Sequence, residues 1–148
     1  MSTFKTWFNN AKVGLNDQVK KFKNKDFMDA VVAGCAIVAA ADGSIGNDEK
    51  EKMIGYISRS DELKVFNVND VIARFNYFAG NFEFSPIVGK QEAIKIISKF
   101  SSKPDVGRVI IAVCCAIGAA DGDFDKNEQA VVRDICVALN LNPGEFSL

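Results

Sequence analysis

The sequence predicts an all-α fold, a helical bundle of roughly seven helices at the usual helix length. Three observations lead there. Apolar residues recur at three- and four-residue steps along most of the chain, the signature of helices with one buried face. No segment alternates apolar and polar residues for long, as a half-buried strand would. One pattern, a buried apolar run, an Ala-Asp-Gly loop and an amphipathic run with a Glu near its start, is written twice.

Taken in order, residues 3–22 place Phe4, Trp7, Phe8, Ala11, Leu15, Val19 and Phe22 on one helical stripe. The stretch 26–41 is apolar almost all round, which predicts a central helix, ended by Gly43 in a left-handed turn. Another helix is expected from about Asp48 to Ser58 with Met53, Ile54 and Ile57 inward. Ser60 before "DELKVF" reads as an N-cap and a short helix. Asn69 or Asp70 opens a helix through Val71, Ile72, Phe75, Phe78 and Phe82. The aromatic cluster Phe75, Tyr77, Phe78, Phe82 and Phe84 is expected in the core. In "Ser85-Pro86" a cap precedes a proline at the first helical position, where its missing N–H costs nothing; Ile94, Ile97 and Phe100 face inward from there. "Lys103-Pro104-Asp105" punctuates before the apolar run 106–120. A last long helix covers about Lys126 to Leu139, with Pro143 as the stop.

The chain of 148 residues is expected to be one domain, 1–148, with an ordinary core. Asp42 and Asp121 stand 79 positions apart, and that offset runs without a gap. It matches Val31 to Ile110, Ala33 to Ala112, Cys35 to Cys114, Glu49 to Glu128 and Met53 to Val132. Residues 31–57 and 110–136 are therefore expected to be internal repeats, a duplicated helical hairpin with pseudo-twofold symmetry rather than a solenoid, which needs three or more units.

Composition excludes several chemistries. There is no histidine, so Ser-His-Asp and Cys-His nucleophile systems are absent, as is any zinc site requiring imidazole; the expectation is no enzyme. No apolar run is long enough for a membrane span, and the N-terminus lacks a signal-peptide layout. Cys35, Cys114, Cys115 and Cys136 sit in apolar helical patterns without a C-x-x-C pair, which reads as reduced, cytoplasmic and buried. Only Cys136, three residues after Arg133, stays open as a reactive thiol. A net charge of −1 without a basic-aromatic motif gives nucleic-acid binding no support.

The second loop, "AADGDFDKNEQAVV" (119–132), crowds Asp121, Asp123, Asp125 and Glu128 with only Lys126 to offset them. Such carboxylates repel by a few kcal/mol at an effective dielectric near 20. A hard divalent cation with oxygen ligands, calcium or magnesium, would relieve that repulsion. The loop is not an EF-hand: counting from Asp121, Lys126 falls where that motif needs Gly and Val132 where it needs Glu. A ligand-free reading also stands, in which Gly supplies a positive φ and the acids favour the positive helix end by about 0.3–1 kcal/mol each.

Residues 1–25 carry six lysines against the single acid Asp17, a net charge of +5, while the remainder carries −6. Lys12, Lys20, Lys21, Lys23 and Lys25 beside the Phe4-Trp7-Phe8 stripe form a basic amphipathic helix suited to an anionic membrane surface. Packing of that stripe on the bundle, with the lysines as its solvated face, is the alternative.

The stretches "KNKDFM" (23–28), "AADGSI" (40–45), "EKEKMIGYI" (49–57), "SDELKVF" (60–66), "GKQEA" (89–93) and "ADGDFDKNEQAVVRDI" (120–135) carry a resemblance to the TerB family of tellurite-resistance proteins, over essentially the whole chain. The resemblance implies a helical bundle built on a duplication, with an acidic face that chelates a divalent metal. It also implies a cytoplasmic place in a tellurium-resistance and stress-response system, peripheral at the inner membrane face, beside the membrane protein TerC and calcium-binding TerD-type proteins. By position the acidic site falls on Asp42 and Glu49 in the first loop and Asp121 and Glu128 in the second, with Asp123 and Asp125 as further candidates. The first loop has Ser44 and Gly46 where the second has Asp123 and Asp125; one site shared between the loops would relieve that asymmetry. Two other functions compete: a structural adaptor whose acids only cap helices, and thiol-based capture or reduction of tellurite.

Overall fold

Twelve consecutive buried positions, Phe27 to Val38, run through the middle of one helix, and the rest of the molecule is arranged around it. The computed structural model describes residues 3–11, 13–22, 24–41, 43, 45–118 and 125–148. Those residues form eight α-helices and three 3-10 turns, with no strand. In order the helices are α1 (Thr3–Ala11), α2 (Leu15–Lys21), α3 (Lys25–Ala39), α4 (Asn47–Arg59), α5 (Val68–Phe84), α6 (Pro86–Ile97), α7 (Pro104–Gly118) and α8 (Lys126–Ala138). The 3-10 turns are Asp61–Leu63, Ser98–Phe100 and Pro143–Phe146. None of the described helices is long and apolar enough to cross a membrane.

Because α3 is apolar on every side, it can be satisfied only by burial on every side. It packs on α5, α6, α7 and α8. The caps follow the sequence. Asn24 Oδ1 accepts from Phe27 N at 2.8 Å at the start of α3, and Ser85 Oγ accepts from Val88 N at 3.3 Å ahead of Pro86. The bounds of α7 and α8 are those of α3 and α4 displaced by the 79-residue offset at all four ends.

Four expectations are corrected. The single helix over 3–22 is two, because Gly14 takes φ 73° and Val13 beside it is 76% exposed. The short helix after Ser60 is a 3-10 turn, and α5 is opened by Asn67, whose Oδ1 accepts from Asn69 N and Asp70 N. Tyr77 (45%) and Phe84 (83%) are exposed, since helical spacing puts Phe75, Phe78 and Phe82 on the core face and turns those two off it. The end of α8 is made by Asn140, not Pro143. Asn140 adopts φ 61°, its N donates to Val137 O at 3.0 Å and Leu141 N donates to Cys136 O at 2.9 Å. This is a Schellman cap with Asn in the left-handed position and Leu141 buried after it; Pro143 opens the 3-10 turn that follows.

Candidate functional site

The turn after α3 contains Gly43 at φ 113°, a conformation that L side chains resist. Ile45 is buried two residues later and pins the chain before α4, whose first turn carries Asp48 and Glu49. On α8 the acids have a defined structural task. Asp125 Oδ1 accepts from Glu128 N at 2.8 Å, and Glu128 Oε1 accepts from Asp125 N at 3.0 Å. That reciprocal pair is a capping box, and it uses one oxygen of each carboxylate.

The two helix starts open onto one cleft of about 220 Å³. Glu49 reaches it from α4, and Asp125 and Glu128 from α8. Val38, Ala39 and Ala41 at the end of α3, and Ile117 at the end of α7, supply its apolar wall. Carboxylates from both hairpins thus face a common space. Among the described residues no three Asp, Glu or Cys side chains stand close enough together to hold a metal ion. Asp42, Asp121 and Asp123 lie outside the described residues.

Sequence reading missed three polar members of the cleft, Lys52, Tyr56 and Asn127. For Lys52 a signal was present: it stands three residues after Glu49 and therefore shares its helix face. The chemistry of the cleft is that of hard oxygen donors with one ammonium among them, over an apolar floor.

The basic N-terminal segment divides between the two readings it allowed. Trp7 meets Phe146 edge-on with ring centroids 4.9 Å apart, Leu15 and Val19 are buried, and α1 and α2 both pack on α7. Their apolar face is thus turned to the bundle. Lys20, Lys21 and Lys25 are exposed, while Lys12, Lys23 and the side chains of Phe4 and Phe8 lie outside the described residues.

All four cysteines are buried. A hydrogen bond with Cys114, then burial, holds the Cys35 thiol well above its ordinary range. Burial does the same for Cys115. Cys136 is pushed up to about 12 by burial and by the negative charge of Glu145. Arg133, the neighbour that left Cys136 open as a reactive thiol, is exposed and does not lower it. None of these three has the exposed, electropositive setting a nucleophilic thiol needs.

A family model described as "Tellurite resistance protein TerB" matches residues 28–148, beginning just after the basic N-terminal segment. A curated relative, "Tellurium resistance protein TerB" from Alcaligenes sp, is 39% identical over 99 residues, which is 67% of this chain and 81% of the relative. No solved structure matches the chain.

Proposed function

The chain belongs to the TerB family of tellurite resistance proteins, and from that membership we propose that it is a non-enzymatic module binding one divalent cation between its two hairpins. The observation that carries this reading is the common cleft, lined by Glu49 from α4 and by Asp125 and Glu128 from α8. Their donor chemistry suits a hard cation such as calcium or magnesium, which takes carboxylate and carbonyl oxygens. Three carboxylates are fewer than calcium's six to eight oxygens, so Asp42, Asp121 and Asp123 are assigned as the remaining protein donors. When bound, the cation would supply the positive charge that lets these carboxylates stand together. The chain's own contribution is positional: the capping box holds Asp125 and Glu128 at the mouth of α8, and buried Ile45 anchors the segment leading to Glu49.

The matching helix bounds in the two halves support a duplicated hairpin with an approximate twofold axis. Burial of the cysteines favours a binding role over thiol chemistry. Family membership supports a place beside a TerC-like membrane protein and TerD-type proteins, at the inner membrane face.

Calorimetric titration with calcium, magnesium, manganese and zinc tests the shared site. The expected result is one binding event, lost alike in Glu49→Gln and in Glu128→Gln. Two events, each surviving one of the substitutions, would mean separate sites. No heat with any of the four ions would leave the acids as helix caps.

A further inference from the structure

At the opposite end of α3 lies a second cleft of about 650 Å³, nearly three times the size of the acidic one. That volume is in the range of small-molecule pockets, roughly 300–1,000 Å³. Its apolar wall is Met28 of α3, Val65 and Phe66 of the connection into α5, and Ala73 of α5. Phe66 is held in place by stacking on the buried ring of Phe27, centroids 6.2 Å apart at 30°.

The polar groups around this wall can be accounted for one at a time. Asn24 and Asn67 spend their side-chain oxygens capping α3 and α5, so the helix N-termini are already served. Asp70 sits in the first turn of α5, where the helix favours a negative charge. Arg74 donates through Nε to Asp29 Oδ1 at 2.9 Å, and Asp29 is only 7% exposed. The Arg74 guanidinium also lies over Tyr77 and Phe78, 4.6 and 5.1 Å from the ring centroids. Lys25 differs. It is the first residue of α3, the helix end that disfavours a cation, and it joins none of the ion pairs among the described residues. Of the charges lining the cleft, this positive one is not explained by the fold.

We propose that the cleft binds a small organic monoanion with an apolar body. Its acidic head sits at Lys25, beside an Arg74 already fixed by Asp29, and its chain lies on Met28, Val65 and Phe66. Asp70 on the same cleft opposes a second negative charge, hence a monoanion. The acidic cleft takes no part in this, and either site can fail without the other.

Amide-correlation NMR of the full chain, titrated with octanoate, acetate and octylammonium, decides it. Octanoate is expected to give saturable shifts at Lys25, Met28, Phe66 and Ala73, and acetate none at the same concentration. Lys25→Gln should weaken octanoate about fivefold, the upper range for an exposed ion pair, with an unchanged thermal midpoint; Ala73→Trp, which fills the cleft, should abolish the shifts. The same shifts with phosphatidylglycerol but not phosphatidylcholine vesicles would identify the source of the anion as a lipid rather than a free acid. Octylammonium binding as tightly as octanoate, or an unaltered affinity in Lys25→Gln, overturns the proposal, as does the absence of any shift at millimolar octanoate.

Discussion

Asp125 has one established contact and one proposed one, and two substitutions separate them. Its Oδ1 accepts from Glu128 N at 2.8 Å, so Asp125→Ala removes the cap and should cost about 1 kcal/mol, roughly 3 °C in thermal midpoint for a chain of this length. Asparagine keeps an oxygen in the same place and caps as well as aspartate does. Asp125→Asn in chelator should therefore melt within about 1 °C of the wild type. With saturating calcium the two contributions part company. A ligand at a hundredfold its dissociation constant stabilises by about 2.7 kcal/mol, on the order of 8 °C here. The wild type should show that rise if the site is calcium's, and Asp125→Asn should show markedly less. Differential scanning fluorimetry at matched ionic strength, in chelator and in calcium, reads all four states. A loss of midpoint by Asp125→Asn in chelator equal to that of Asp125→Ala would refute the cap argument, because the oxygen acceptor would then not be what matters. A calcium-dependent rise left whole in Asp125→Asn would remove Asp125 from the donor set.

Two further predictions concern the other end of the chemistry. Replacing Lys20, Lys21 and Lys23 with Gln should weaken salt-sensitive sedimentation with phosphatidylserine vesicles, since each Lys near an anionic leaflet contributes on the order of 1 kcal/mol; equal binding to neutral vesicles would exclude an electrostatic membrane role. Native protein should leave its four cysteines unlabelled by an alkylating reagent at pH 8 and label all of them in denaturant. Because the Cys136 thiol is raised to about 12, the folded state holds its proton where the unfolded chain releases it. The stability from that difference is whole below about pH 9 and is lost as pH rises toward 12. Cys136→Ala should flatten that part of the alkaline unfolding profile, and an unchanged slope would show that the thiol does not titrate there.

What could be read from the sequence was local, and what could not depended on residues distant in the chain. The burial of α3 was legible because every face of 27–38 is apolar, and Ser85-Pro86 because a cap and an N1 proline need only each other. The cap of α8 was missed although Asn140 was in plain view: an Asn in the left-handed position is an uncommon alternative to Gly, and Pro143 was the stronger breaker on paper. The break at Gly14 was masked by a stripe that continues in register on both sides. The paired acids were found from the repeat, but that Glu49 and Asp125 share a cleft is settled by how α4 and α8 flank α3 and α7. The cleft beside Lys25 had no signal at all. It is the space left between the start of α3 and the chain at Val65–Phe66, and its size comes from packing rather than from any motif.

The two clefts lie at the two ends of α3, and that separation limits how they can influence one another. Fifteen residues of helix span about 22 Å, with Lys25 at the first position and Ala39 against the acidic cleft at the last. Screening in physiological salt acts over about 8 Å, so charge introduced at one end is barely felt at the other through solvent. A cation between the hairpins would therefore not strengthen or weaken an anion at Lys25 by direct electrostatics. Any coupling between them has to travel through α3 itself, which is packed on all sides and is the least deformable element of the molecule. The proposed sites should thus act independently, with calcium leaving octanoate affinity unchanged and octanoate leaving calcium affinity unchanged. A measured dependence in either direction must appear equally in the other, and it would show that α3 shifts as a rigid piston between the two ends.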